Sequence, residues 1–303
     1  MKDIRDIFFS SIAKFFKKDK KLKILTNDAD VFALQKLRGH KRFIDVGVAE
    51  QNLINISAGL SKNNFKSIVY GFCTFLTFRC YEQIRFNIAS MKSNVKIVGI
   101  GPGFSFPNDG PTHHGIHDLY IMYLIPEMEI INIGDNSLAN IVGKKLFQIK
   151  GPTYIRIDKG NLELNKKIKY NLKKGFTYLE SQKQKKNLII TTGYFCKQSL
   201  EVAKNIKNTS VINFFRFKNF DKNSFIKECL KYKKIFVYDE STIDGGITNI
   251  ILKLIKDHCD IKKVKIMCCP DGQLFRYSQN RERIHKLLKI DKKSLEKFIK
   301  KYS

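Results

Sequence analysis

The sequence predicts an α/β protein built as two open, mostly parallel three-layer domains, and three observations carry the prediction. Short β-branched runs alternate with helix-length apolar patterns, the rhythm of βαβ units. The chain has 303 residues, 43% hydrophobic and 28% charged, which is enough apolar bulk for two cores and too much for a disordered chain. A lysine-rich, poorly periodic stretch at 161–186 interrupts the rhythm, which then resumes. The expected organisation is a first domain at 1–160, a linker at 161–186 and a smaller second domain at 187–303.

Taken in order, residues 8–16 form an amphipathic segment suited to covering a sheet or a partner rather than a membrane. Residues 22–26, 42–46, 67–70, 95–100, 129–133 and 153–157 read as strands, because each is a short apolar, β-branched run. Between them, 49–60, 75–91, 118–125 and 137–147 carry helical periodicity. Beyond the linker the expected strands are 187–192, 211–215, 234–238 and 264–268, alternating with helices at 200–206, 224–230, 247–257 and 281–288.

Charge and cysteine content exclude several classes. Lys+Arg 56 against Asp+Glu 28 gives a net charge of +28, but the basic residues are 46 Lys and only 10 Arg. Base and phosphate recognition favours arginine's planar fork, so biased composition or a charge-guided protein partner fits better than nucleic acid. The seven cysteines form no CxxC pair, which suits buried thiols in a reducing cytoplasm. The N-terminus lacks an apolar signal core, and no uncharged apolar run approaches the ~20 residues that cross a bilayer, so membrane insertion is not expected.

In a parallel sheet, ligands sit beyond the carboxyl ends of the strands. Phe43-Ile44-Asp45-Val46-Gly47 ends a strand there, and Val48-Ala49-Glu50 opens the next helix ahead of the stripe Leu53, Ile54, Ile56 and Leu60. Glu50 is thus a first-turn acid, which by itself is compatible with compensation of the helix dipole. Asp45 caps the turn and receives no chemical role. Gly99-Ile100-Gly101-Pro102-Gly103 is not GxGxxG and reads as a tight turn that lets the next loop approach. That loop, 108–118, is the densest polar cluster and holds His113, His114 and His117. Gly115 between His113 and His117 weakens a helical metal pair and HExxH is absent, which leaves a structural loop or one donating to sugar hydroxyls and carbonyl oxygens. Phe72, Phe75 and Phe78 fit either a ring-stacking cleft or an ordinary core.

In combination, Arg42 to Asn52, then Cys73-Thr74-Phe75-Leu76 with Tyr81-Glu82-Gln83-Ile84-Arg85, then Asp109-Gly110-Pro111-Thr112-His113-His114, resemble the transketolase family. The same order is similar to its relative, deoxyxylulose-phosphate synthase. Gly151-Pro152-Thr153-Tyr154-Ile155-Arg156 resembles the last strand of the family's pyrimidine-binding domain. In the second half Thr192-Gly193, Asp239-Glu240 before Gly245-Gly246, and the run 279–290 ahead of Asp291 follow the plan of its C-terminal domain.

The resemblance implies a thiamine-diphosphate-dependent transferase moving a two-carbon ketol unit from a ketose to an aldose. Alternatives are a deoxyxylulose-phosphate-synthase-like enzyme, a 2-oxoacid dehydrogenase beta subunit, or a non-catalytic regulatory subunit. The family's diphosphate-binding domain has no counterpart in this sequence, which lacks Gly-Asp-Gly with a downstream Asn. Thiamine diphosphate and Mg²⁺ are therefore expected to be held mainly by a separately encoded N-terminal subunit, in a heterotetramer, with no metal ligand on this chain. Glu50 matches the glutamate that activates the cofactor at its aminopyrimidine, with Phe72, Phe75 and Phe78 as aromatic walls. Asp109 and His113 match a pair that reads substrate and stabilises the adduct, His114 is an orienting neighbour, and Arg156 and Lys159 are candidates for a substrate phosphate.

Overall fold

The structure, a computed structural model, describes residues 2–164, 166–272 and 280–303. It divides into two compact units, the first made of residues 1–102 and 121–163, the second of 103–120 and 164–303.

In the first unit six strands form one fully parallel sheet. They are β1 (Leu22–Thr26), β2 (Phe43–Asp45), β3 (Lys66–Phe72), β4 (Val95–Ile100), β5 (Glu129–Ile133) and β6 (Thr153–Ile157), in the order β2-β1-β3-β4-β6-β5. Every residue of β4, β5 and β6 is buried, which is why these strands read as unbroken apolar runs. One residue in β4 breaks the pattern: Lys96 is fully buried, and its Nζ stands 2.5 Å from Ile149 O, 2.8 Å from Gly151 O and 3.0 Å from Thr153 Oγ1.

The helices of this unit are α1 (Ile4–Lys18), α2 (Glu50–Lys62), α3 (Cys73–Phe78) and the single turn α4 (Tyr81–Gln83), with α6 (Asn136–Lys145) later in the chain. Asp3 caps α1 by accepting from Arg5 N, and Ile4, Phe8, Phe9, Ile12 and Phe16 line its buried face. Phe9 lies 5.1 Å from the Tyr70 ring of β3, so the amphipathic segment covers the sheet. At Gly143 of α6 a Cβ would stand 2.9 Å from Phe8 O, so the absent side chain permits the close α1–α6 approach.

The single helix expected at 75–91 is a correction. α3 starts two residues earlier and ends at Phe78, α4 follows, and Ile84–Ser90 winds as a π-helix. The break falls where the Gln51 side chain takes the Arg79 carbonyl (3.0 Å), removing an acceptor from the helical ladder.

In the second unit the strands are β7 (Phe176–Glu180), β8 (Asn187–Thr191), β9 (Thr209–Phe214), β10 (Lys234–Thr242) and β11 (Val264–Cys269), in the order β11-β10-β8-β9-β7. All neighbours are parallel except β7, which pairs antiparallel with β9. β7 lies inside the segment expected as a linker, so 161–186 carries an edge strand rather than connection alone. Helix α5 (Asp118–Tyr123) starts in the loop segment 103–120 and continues into the first unit, and the helices that lie wholly in the second unit are α7 (Phe195–Asn205), α8 (Lys222–Leu230), α9 (Thr248–Ile255), α10 (Arg281–Leu287) and α11 (Lys292–Tyr302). The expected strand at 234–238 continues to Thr242, and Asp239, Glu240, Ser241 and Thr242 are all buried in the extension. Phe195 stacks on Tyr238 at 4.0 Å between ring centres, inside the core of this unit.

The loop at 103–120, placed by sequence in the first domain, belongs to the second unit. The run 279–290 begins at Gln279, which lies outside the described residues. Among the described residues no helix is long and apolar enough to cross a membrane.

Candidate active site

In the first unit the carboxyl ends of adjacent strands gather the polar groups. β1 and β2 are paired from Ile24–Phe43 to Thr26–Asp45, so Asn27 and the β2–α2 turn leave the sheet side by side. Asp45 accepts from the backbone N–H of Asp28 and of Gly47, both at 3.0 Å, and caps the turn. Gly47 takes φ +66°, a conformation that disfavours side chains, and this brings Glu50 to the first position of α2.

Glu50 is 5% exposed. Its Oε1 accepts from Asn27 Nδ2 at 3.0 Å and from Arg79 at 3.2 Å. Asn27 is pressed on the backbone of Gly71, where a Cβ would stand 2.2 Å from Asn27 Oδ1. The Arg79 guanidinium lies 4.1 Å over the Phe75 ring, and Phe72 meets Phe75 edge-on at 5.7 Å. Phe75 therefore reaches Glu50 through Arg79, whereas Phe78 is exposed on the end of α3. An open cavity of about 480 Å³ is lined by Val48, Ala49, Glu50, Gln51, Asn52 and Arg79. Cys80, beside this group, is held as a thiol because burial, reinforced by the Glu50 charge, pushes it up to about 12.

Asp109, His113 and His114 lie on the loop of the second unit. The loop closes where Gly103 and Gly115 exchange backbone hydrogen bonds of 2.7 and 2.9 Å. Its tip is two 3₁₀ turns, Pro107–Asp109 and Pro111–His113, each opened by a proline whose fixed φ suits the first helical position. Asp109 is exposed and His113 half-buried, with the His113 ring nitrogen Nδ1 3.0 Å from Thr112 Oγ1. His114 points inward: it is 2% exposed, its ring nitrogens make no hydrogen bond among the described residues, and Phe104 packs edge-on at 4.9 Å. Burial pushes His114 down to about 4 against the opposing Glu240 charge, so it is neutral at pH 7.

Arg156 lies within β6 and is 2% exposed, while Lys159, just past the strand, is half-buried. Sequence reasoning assigned no role to Asn27 or Arg79 on the Glu50 side, nor to Arg281 and His285, which converge on Glu240 in the second unit. Arg281 Nε and His285 Nε2 lie 2.7 and 2.6 Å from Glu240 Oε1. Burial raises the proton affinity of Glu240, but Arg281 and His285 overturn this and hold it well below the usual carboxylate range. The only available signal was the Asp239-Glu240 pair ahead of Gly245-Gly246.

A model of the transketolase pyrimidine-binding domain matches residues 2–165, and a model of the transketolase C-terminal domain matches 178–295. The chain belongs to the transketolase family. Among curated relatives of this family, the 6-deoxy-6-sulfo-D-fructose transketolase subunit of Clostridium sp. (strain MSTE9) is 25% identical, over 88% of this chain and 85% of that one. The 1-deoxy-D-xylulose-5-phosphate synthase of Dictyoglomus turgidum is 31% identical over 76% of this chain but 38% of its own, so the chain spans less than half of that synthase. A solved split-gene transketolase, described as an inactive β4 tetramer, shares the fold at TM-score 0.85 and 22% identity, over 99% of this chain and 98% of that one.

The transketolase and deoxyxylulose-phosphate-synthase group is thiamine-diphosphate-dependent. The Glu50 surroundings fit the aminopyrimidine part of that cofactor: a nearly buried acceptor carboxylate opens on a cavity with Val48 and Ala49 in its wall. Among the described residues no group of three His, Cys, Asp or Glu side chains could hold a metal ion.

Proposed function

We propose that this chain is one subunit of a thiamine-diphosphate-dependent enzyme that moves a two-carbon unit onto an aldehyde acceptor. A separately encoded subunit holds the diphosphate and Mg²⁺, and the assembly is a heterotetramer. The observation that carries the reading is Glu50, a 5%-exposed carboxylate bound by Asn27 and Arg79 at a cavity mouth.

Thiamine diphosphate, when bound, would supply a carbon nucleophile, and Glu50 would hold its aminopyrimidine. Glu50 holds a hydrogen bond at the pyrimidine ring nitrogen, and its two donors fix the carboxylate before the ring arrives. Phe72 and Phe75 give that side of the cleft its aromatic wall, with Phe78 at its margin. Asp109 and His113 bind the oxygens of the substrate from a proline-stiffened loop. His114, neutral and buried, orients the loop and transfers no proton. Lys159, rather than the strand-buried Arg156, is the better placed of the two for a substrate phosphate.

The synthase relatives favour a 2-oxoacid donor, as in deoxyxylulose-phosphate synthesis: the synthase is 31% identical where the transketolase subunit is 25%. The ketose donor is the second reading, favoured by length, because the transketolase subunit is matched over 85% of itself and the synthase over 38%.

The test is co-purification with the neighbouring subunit, then a screen of pyruvate against ketose donors with thiamine diphosphate and Mg²⁺. Glu50→Gln is expected to abolish turnover in the assembled enzyme. Near-normal turnover of Glu50→Gln, or full-rate turnover by this chain alone, would refute the reading. Assembly without turnover of any donor would instead favour a non-catalytic subunit, as would an inability to bind the cofactor.

A further inference from the structure

The Asp239-Glu240 and Gly245-Gly246 pairs are absorbed by no step above, yet they hold the base of the loop that carries Asp109 and His113. All the groups involved lie in the second unit. Glu240, 8% exposed, is fixed by both arms of Arg281 and by His285, and the Arg281 guanidinium is itself seated 3.7 Å over the Tyr194 ring. So fixed, the carboxylate lies against the Gly103 backbone, where a Cβ would stand 1.8 Å from Glu240 Oε2. Phe104, next in the chain and fully buried, packs against both His285 and His114.

The other side of the loop base is held by the glycine pair. Thr242 N donates to Ile116 O at 3.3 Å, and Tyr120 N donates to Gly245 O at 3.1 Å. A Cβ at Gly245 would stand 2.0 Å from Ile116 O, so only glycine lets the loop come this close. At Gly246 a Cβ would stand 1.8 Å from Asp239 Oδ2, which accepts from Ile247 N and fixes the turn. The seat therefore grips residues 103, 116 and 120, on either side of the tip at 107–113.

A buried carboxylate held by a guanidinium and an imidazole is a poor source of net stability, since desolvation offsets much of the attraction, but it fixes geometry strongly. We propose that this seat, with Glu240 at its centre, is a positioning device: it sets where Asp109 and His113 stand and thereby controls productive substrate binding. The proposal rests on the reading of those two residues as substrate contacts. Glu240 touches no substrate and acts through the loop.

The experiment has two arms, using Glu240→Gln and the milder Arg281→Lys in the full-length chain. In the first, amide hydrogen exchange is compared with the natural protein. The Gly103 and Gly115 amides are expected to exchange about 10-fold faster in Glu240→Gln, less so in Arg281→Lys, with the β8 amides unchanged. In the second arm, in the enzyme reconstituted with its partner subunit, kcat/KM is expected to fall on the order of 10- to 100-fold while thiamine diphosphate affinity stays within about twofold. If Glu240→Gln does not fold, Arg281→Lys carries both arms.

Unchanged exchange across 103–120 overturns the proposal, as does faster exchange with unaltered kcat/KM. A uniform rise in exchange over the whole second unit overturns it too, because Glu240 would then serve general stability. Should the natural assembly turn over no donor, the proposed reaction fails and with it the catalytic part of this proposal, while the exchange arm still decides whether Glu240 holds the loop.

Discussion

Lys96 offers the sharpest test of the energetics of the first sheet. Burial pushes its amine down to about 7, against the opposing pull of the Glu129 charge, whereas in the unfolded chain it titrates near 10.5. Between these values the unfolded chain binds a proton that the folded protein lacks, so stability rises with pH through this window. The slope is up to ~1.4 kcal/mol per pH unit, or about 4 kcal/mol accumulated from pH 7 to 10.5. Lys96→Met removes the titration. Urea unfolding followed by circular dichroism at several pH values should show the natural protein gaining about that much relative to the variant. Buried thiols such as Cys80 and Cys269, pushed up to about 12 by desolvation, oppose the trend at the alkaline end. They are common to both proteins and cancel in the difference. Parallel profiles, within about 1 kcal/mol, would refute the reasoning and show that the three oxygens around Nζ keep the ammonium charged.

Other substitutions separate the parts of the site and the fold. Asn27→Ala removes the 3.0 Å hydrogen bond to Glu50; such a bond to a charged group contributes about 1.5–3 kcal/mol, so kcat/KM of the assembled enzyme should fall on the order of 10- to 100-fold in steady-state assays. His113→Ala should lower kcat about 100-fold or more while calorimetry finds thiamine diphosphate affinity nearly unchanged. Phe9→Ala, which empties a fully buried site against Tyr70, should cost about 3–5 kcal/mol by urea denaturation without altering Glu50 chemistry.

What the sequence revealed follows from which physical signals are local. The strands at 22–26, 95–100, 129–133 and 153–157 are legible because a parallel strand covered on both faces must be a continuous apolar run. β7 was hidden because an edge strand needs less: of its five residues Phe-Thr-Tyr-Leu-Glu only Phe176 and Leu179 are buried, and the strand sits among lysines. The break in the helix after Phe78 was equally hidden, since it depends on a bond from Gln51, 28 residues away. Glu50 is legible because a strand end, a glycine and a helix start announce its position within a few residues. Asn27 is not, because its approach to Glu50 follows from the β1–β2 pairing, and Glu240 meets His285 across 45 residues of sequence.

The placement of 103–120 has a consequence for synthesis. As the polypeptide leaves the ribosome, the loop emerges well before Glu240, Gly245 and Arg281, on which its base depends. The strands of the first sheet through β6 can pair while the loop still lacks its anchorage. The stretch bearing Asp109 and His113 is thus expected to be among the last to take its final form, and a nascent chain halted after residue 160 would present it unsupported. Limited proteolysis of stalled nascent chains, cutting within 103–120 until the C-terminal unit is complete, would record that order.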